Sequence, residues 1–340
     1  MMKKIDVHRA VGHVLAHDIT RIVPGRSKGV GFKKGHVVRP EDIPELLKLG
    51  KRRLFVLRLA PGVLHEDDAA LRIAAAICGP GLRWSDPAEG KSGIFARSEG
   101  LLRVDATALL KINRMGNLIV STLKTHTPCR GGQQVAATRI IPLTIPARRI
   151  ERLERIAAAA RPVVDVLPYR RLRVGAVVTG SEIAAGLIQD QFDAYVGSKL
   201  GAYGSTVVRK ILVGDDPAAI AAALGELAAL GCELIVTTGG LSVDPDDVTR
   251  RGVIRAGAQV LAYGSPILPG AMFLYARLGA AVVMGLPACV YYHPTTIFDL
   301  MLPRVLAGVP VTRKEIAAMG HGGLCLGCET CRYPVCPFGR

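Results

Sequence analysis

Glu233-Leu-Ile-Val-Thr-Thr-Gly-Gly-Leu-Ser-Val-Asp-Pro-Asp-Asp-Val-Thr249 decides how the rest of this chain is read. A short apolar strand runs into paired glycines, an acid-rich polar loop follows, and a helix is expected to open near Asp246. Gly239 and Gly240 permit positive φ and a close approach of bare backbone to a ligand. Amides in such a turn, beside a helix N-terminus, form a pocket for an anion. Thr237, Thr238, Ser242 and Thr249 add hydroxyls. Asp244, Asp246 and Asp247 bring negative charge where phosphate would be repelled, which suits Mg2+ or another cation held between them. The same letters also fit a plain strand–turn–helix with Asp246 as N-cap.

Outward from that stretch, residues 171–308 alternate strand and helix. Leu172-Arg-Val-Gly-Ala-Val-Val-Thr179 reads as a strand ending in Gly180-Ser-Glu182. A helix follows over 193–200 with Asp193 at its start. The next strand, 207–213, leads through Gly214-Asp-Asp-Pro217 into an Ala- and Leu-rich helix. Further strands are expected at 260–263, 272–278 and 281–284, and a last helix at 295–306. Such alternation predicts an α/β fold, a mostly parallel sheet with helices on both faces. Ligands of these sheets bind at the carboxyl ends of the strands. Thr179-Gly180-Ser181-Glu182, Asp215-Asp216, Thr238-Gly239-Gly240 and Leu286-Pro287 all fall there, so they are expected to gather on one edge.

The first half reads as a smaller mixed α+β region. Pro40-Glu-Asp-Ile-Pro-Glu-Leu-Leu-Lys-Leu-Gly50 is a short helix stopped by glycine, and Arg53-Leu-Phe-Val-Leu57 is a strand. Between them and the N-terminus, Gly25-Arg-Ser-Lys-Gly-Val-Gly-Phe-Lys-Lys-Gly35 reads as a basic, solvated loop. Helical spacing over 65–77 puts Leu71, Ile73 and Ile77 on one side. Residues 145–160 form a helix with Pro146 at its start and Ile150, Leu153 and Ile156 on one face. The expected division is 1–60, 61–145, a helix and linker at 146–170, an α/β domain at 171–310 and a cysteine-rich tail at 311–340.

Composition bounds the function. A chain of 340 residues with 49% hydrophobic residues and a mean hydropathy of +0.30 is globular. The uncharged stretches 256–276 and 278–298 are broken by Gly and Pro, so no membrane span is expected. Met1-Met-Lys-Lys-Ile-Asp-Val-His8 has no apolar signal core, and the cytoplasm is the expected compartment. The formal charge of +16 favours anionic partners, while aromatics at 5% supply little for stacking on bases, so nucleic acid is disfavoured.

Four of the eight cysteines fall in Cys325-Leu-Gly-Cys-Glu-Thr-Cys-Arg-Tyr-Pro-Val-Cys336. Cys325, Cys328, Cys331 and Cys336 suit a zinc ion or an iron–sulfur cluster. The close spacing and the proline near the last cysteine lean towards iron–sulfur. Gly320-His-Gly-Gly323 is expected to attach this tail flexibly.

Residues 171–308 resemble the molybdopterin-binding domain of molybdenum-cofactor biosynthesis proteins. The residues that carry the likeness are Val177-Val-Thr-Gly-Ser-Glu182, Val213-Gly-Asp-Asp-Pro217, Ile235-Val-Thr-Thr-Gly-Gly240, Ser242-Val243, Asp247-Val-Thr249 and Gly285-Leu-Pro287. Gly12-His-Val-Leu-Ala-His-Asp-Ile19 and Phe32-Lys-Lys-Gly-His-Val-Val38 are similar to the opening of the molybdenum-insertion branch, MoeA. The resemblance implies a site for molybdopterin or its adenylylated form, with Mg2+, and either adenylyl transfer or molybdate insertion. It implies Asp215 and Asp247 in catalysis. It implies Thr179, Gly180, Glu182, Asp193, Asp216, Thr238, Gly239, Gly240, Ser242, Thr249, Pro269 and Gly270 in cofactor binding. Implied partners are the pterin phosphate, molybdenum enzymes or other biosynthesis proteins, and a second copy of the chain in a homo-oligomer. Two places depart from the insertion branch: Ala271-Met272 stand after Pro269-Gly270 where it carries Lys, and Ala288-Cys-Val290 replace its Gly-Asn-Pro. Thr238-Gly-Gly-Leu-Ser-Val-Asp-Pro-Asp-Asp-Val-Thr249 also resembles the loop of the competence-damage-inducible group, which implies metal-dependent hydrolysis of a nucleotide pyrophosphate. A non-catalytic carrier or sensor of the cofactor fits the same residues.

Overall fold

The computed structural model describes residues 3–23, 27–56, 61–160, 162–242 and 248–339. Asp244, Asp246 and Asp247 lie outside them. The chain divides into two compact units, one of residues 1–125 and 129–166, the other of 126–128 and 167–340.

The first unit is built on an antiparallel four-stranded sheet ordered Leu82–Trp84, Lys91–Ala96, Gln134–Ile140, Leu118–Thr122. The helices Glu66–Ile77 and Ala147–Ala160 bury Ile73, Ile77, Ile150 and Leu153 in its core. Their spacing of three and four puts these side chains on one stripe. Arg72 bridges the two helices by a two-pronged pair with Glu154, at 2.9 and 2.8 Å. A smaller cluster of Val7, Leu15, Ile19, Phe32, Leu46 and Leu54 lies under the first strands. There the expected basic loop is half of a hairpin: Ser27–Phe32 pairs antiparallel with Ile19–Val23. Phe32 is buried by this pairing, which outweighs the glycines at 29 and 31.

The second unit carries a six-stranded sheet. Its strands are β1 (Arg173–Thr179), β2 (Thr206–Val213), β3 (Leu234–Thr238), β4 (Gln259–Tyr263), β5 (Leu274–Leu278) and β6 (Ala281–Leu286). They are ordered β2-β1-β3-β6-β5-β4. The first four in that order are parallel, and β5 and β4 add antiparallel edges. The turn at Gly279-Ala280 pairs Leu278 with Ala281, and this two-residue connection forces β5 and β6 to run antiparallel. β5 starts at Leu274, two residues later than the sequence suggests.

Period-two alternation decides what each face covers. Val174, Ala176 and Val178 pack with Phe192, Val196, Phe298 and Met301 on one side. Val177, Ile235 and Val283 pack with Ile220, Leu224 and Leu227 on the other. The second group comes from helix α1 (Pro217–Ala229); α2 (Thr249–Arg255) lies on the same side, while α3 (Ile297–Leu306) covers the first. Gly175 faces α1 so closely that an added Cβ would stand 2.9 Å from Leu227. The fold is therefore the expected α/β sheet with helices on both faces. Among the described residues no helix is long and apolar enough to cross a membrane.

Candidate functional site

β3 and β6 are parallel neighbours and end together, with Thr238 level with Leu286. The chain leaves β3 through Gly239 and Gly240, at φ +88° and +54°. Both glycines are forced. A Cβ on Gly239 would run into the Thr179 carbonyl oxygen, and one on Gly240 would sit 2.6 Å from Thr249 Oγ1. The left-handed backbone adds its own cost of about 1–2 kcal/mol for any residue with a side chain. Behind the turn lies a layer of buried hydroxyls. Thr179 Oγ1 donates to the Thr238 carbonyl at 3.1 Å and is 3.1 Å from Thr249 Oγ1. Thr249 Oγ1 donates to the Gly239 carbonyl at 2.9 Å, and the Thr249 amide donates to Gly240 at 3.1 Å. Thr238 meets the phenol of Tyr291, which burial pushes above its ordinary range. The Thr237 hydroxyl is fully buried and has no hydrogen-bond partner among the described residues. An unpaired buried hydroxyl costs about 1–3 kcal/mol, so the root of this turn is held at some expense of stability.

In front of the turn is a cleft of about 660 Å3. Gly239, Gly240, Ser242, Pro269 and Gly270 all line it, five of the residues singled out in the sequence. Gly270 is at φ +136°, and a Cβ there would come within 2.6 Å of Ile297. Ser265 Oγ donates to the Gly270 carbonyl at 2.9 Å. The opposite wall is the exit of β6, with Pro287, Cys289, Tyr292 and His293. Tyr292 and His293 went unnoticed in the sequence. Their one signal was position, a Tyr-Tyr-His run just beyond the Gly-Leu-Pro at a strand end. Their rings lie 4.9 Å apart at 48°. Burial pushes the Cys289 thiol above its ordinary range. Ala271 and Met272 line the cleft where the insertion branch would offer a lysine, and no Lys or Arg lines it among the described residues.

The other predicted residues are elsewhere. Thr179, Thr238 and Thr249 form the buried layer behind the turn. Gly180, Glu182, Asp215 and Asp216 belong to the exits of β1 and β2, Asp193 opens the helical turn Asp193–Gly197, and none of them lines the cleft. Asp215 Oδ2 accepts from the Ser181 amide at 2.9 Å and from Ser181 Oγ at 2.8 Å. Asp216 caps α1, accepting from the amides of Ala218 and Ala219 at 3.1 Å each, and these bonds hold its carboxyl below the usual range. Asp193 does not cap a helix. Asp190 accepts from the Phe192 amide at 2.8 Å, and Asp193 pairs with Lys210, which also holds Asp190 at 2.6 Å. Burial opposes the Lys210 charge, and the two carboxylates more than offset it.

The cysteine tail is not loosely attached. Gly323 is wedged against the Pro266 carbonyl, its amide donates to Gly320, and the Gly339 amide donates to Gly322 at 2.9 Å. All four tail thiols are free. Among the described residues, no three His, Cys, Asp or Glu side chains are gathered as ligands of one metal ion, so the tail does not form a closed zinc tetrahedron.

Residues 175–318 match the family described as Probable molybdopterin binding domain. The match covers less than half of the chain. Residues 4–58 match Domain of unknown function (DUF8806). A CinA-like protein of Mycobacterium sp. (strain MCS) is 42% identical over 83 residues, which are 24% of this chain and 20% of that protein. A CinA-like protein of Geobacter metallireducens is 33% identical over 131 residues, 38% of this chain and 29% of that protein. The chain thus spans less than a third of the length of these relatives. The solved molybdopterin biosynthesis enzyme MoaB of Thermus thermophilus is 21% identical, with a TM-score of 0.34 over 41% of this chain and 98% of its own. The matched residues include the cleft lining as far as His293, and the tail that adds Leu324, Cys325 and Gly327 follows them.

Proposed function

We propose that the second unit binds molybdopterin, or its adenylylated form, in the cleft between the exits of β3 and β6. One observation carries this reading: two glycines are driven to positive φ against a wall of buried threonines, and their backbone fronts a cleft of about 660 Å3. Backbone amides can approach an anion there as side chains cannot. The apolar faces of Leu268, Pro269 and Met272, with the ring of Tyr292, suit a flat heterocycle. Ser242 and His293 supply polar contacts that orient it. The match of residues 175–318 to that family supports the same ligand class. Mg2+ belongs to the same proposal; Asp244, Asp246 and Asp247, the acids the sequence offers for it, lie outside the described residues. Adenylyl transfer or molybdate insertion on that ligand, and its hand-over to molybdenum enzymes or other biosynthesis proteins by a homo-oligomer, extend the proposal. Ala271 and Met272, standing where the insertion branch carries lysine, favour binding and transfer over insertion.

A second reading is metal-dependent hydrolysis of a nucleotide pyrophosphate, favoured by the CinA-like relatives. One experiment separates the two. The chain is titrated with molybdopterin by fluorescence. It is then incubated with Mg2+ and, in parallel, molybdopterin plus ATP or ADP-ribose, for the parent and for Asp247→Asn. The proposal expects saturable molybdopterin binding by both proteins, with release of pyrophosphate only if the unit transfers adenylate. Turnover of ADP-ribose without molybdopterin binding would replace it by the second reading.

A further inference from the structure

The tail meets the ligand cleft at Cys325. Cys325, Cys328, Cys331 and Cys336 all line a single cavity of about 240 Å3. Cys325, Gly327 and His293 line both this cavity and the cleft. The backbone fixes that shared wall. The Leu268 amide donates to Gly323 at 2.8 Å, and the Cys325 amide donates to Leu268 at 2.8 Å, so the first cysteine is stitched to the loop that carries Pro269 and Gly270. Further along, Thr295 Oγ1 is 3.1 Å from Cys331 Sγ, Tyr333 Oη donates to the Asp299 carbonyl at 3.0 Å, and Phe338 is buried. The tail is therefore a closed loop whose cysteines are held by the body of the unit.

Four free thiols around one cavity need an explanation, because Cys328 and Cys331 are exposed and an exposed thiol is a hazard without a task. The thiols line a common space, and among the described residues no three of them are gathered as ligands of one ion. A single zinc ion with bonds of about 2.3 Å draws its sulfurs tightly together. A four-iron cluster places each thiolate on its own metal and keeps the sulfurs apart. Arg332, also on the cavity wall, offsets the negative charge that four thiolates bring.

We propose that Cys325, Cys328, Cys331 and Cys336 hold an iron–sulfur cluster whose cavity shares His293 and Cys325 with the ligand cleft, so that cluster and cleft ligand sense each other. The second half of this statement rests on the cleft reading above; the first half does not.

The test uses the full chain, purified without oxygen and reconstituted with ferric iron, a thiol reductant and sulfide. The expected result is iron and acid-labile sulfide in equal amounts, with a broad visible charge-transfer band. The double variant Cys328→Ser, Cys331→Ser should retain iron more than about tenfold less well, with unchanged far-ultraviolet circular dichroism. Cys289→Ser, which alters a cleft thiol outside the cavity, should load fully. A protein that takes one zinc and no iron, or a double variant that loads like the parent, overturns the cluster. The shared wall is read without ligand: His293→Ala should change the electron paramagnetic resonance of the reduced cluster, and an unchanged spectrum overturns the contact. Added molybdopterin should alter the same spectrum. If the cluster forms, His293→Ala perturbs it and molybdopterin fails to bind, the cleft reading falls and the cluster stands.

Discussion

Two neighbouring parts of one sheet edge use similar sequence and end in opposite states. Where β1 and β2 finish, the Gly180 amide donates to Val213, Ser181 is held twice by Asp215, and Asp216 is spent on the first turn of α1. That end is tied shut by its own side chains. Where β3 and β6 finish, the hydroxyls of Thr179 and Thr249 hold the turn from behind, and the paired glycines front open space. Both ends carry Thr-Gly, a serine and aspartates nearby. What separates them is where the side-chain partners sit: beside the turn in the first, underneath it in the second. A glycine motif binds a ligand only if its neighbours leave the front free.

The most severe way to break this contrast is Gly239→Val. The new Cβ meets the Thr179 carbonyl at an unfavourable φ, and we expect a loss of about 3 kcal/mol in stability together with loss of molybdopterin binding. Urea unfolding and a fluorescence titration measure both, and a variant that binds like the parent would show that the turn is not the seat. Asp215→Ala probes the closed end. It frees the Ser181 amide and hydroxyl, so a loss of about 1 kcal/mol is expected with affinity within about threefold of the parent. A much larger fall in affinity at unchanged stability would place ligand at the β1 end after all.

A pH effect acts away from both ends. Burial, with the Arg304 charge, pushes His126 down to about 4. The unfolded chain takes up that proton near 6.5, so stability from this residue is complete above about pH 6.5 and falls as the pH drops towards 4. His126 has a φ of +64°, which Asn tolerates. His126→Asn should flatten the stability profile between those values and leave cleft binding unchanged. Smallest of all, Asp216→Ala should lower the urea midpoint slightly above pH 4 and make no difference well below it, because its folded carboxyl titrates below the ordinary value of 3.8. An effect on ligand affinity would again blur the distinction between the two ends.

Much of the second unit was legible in the sequence because its strands are short apolar runs, each closed by glycine or proline. Val174, Val177, Ile235 and Val283 are buried whichever face they take, and that requirement alone marks central strands. Gly239 and Gly240 were legible for the same local reason, since a strand exit at positive φ needs residues without Cβ. Asp193 misled because a carboxylate at the head of a helical run looks like a cap, whereas Lys210, seventeen positions away, claims it. The basic run at 27–32 misled because lysine and glycine disfavour strands locally, and pairing with Ile19–Val23 overrides that. Tyr292 and His293 carried no periodicity at all.

The sequence by itself determined the alternation of strands and helices, the positions where backbone must bend without a side chain, and the grouping of four thiols within twelve residues. These follow from local sterics and from the burial that each apolar run demands. Tertiary structure alone decided which glycine turn stays open, and that Cys325 lies on its cleft. Both depend on hydrogen bonds between segments far apart in the chain, Thr179 with Thr249 and Leu268 with Cys325, and no local pattern records such partners.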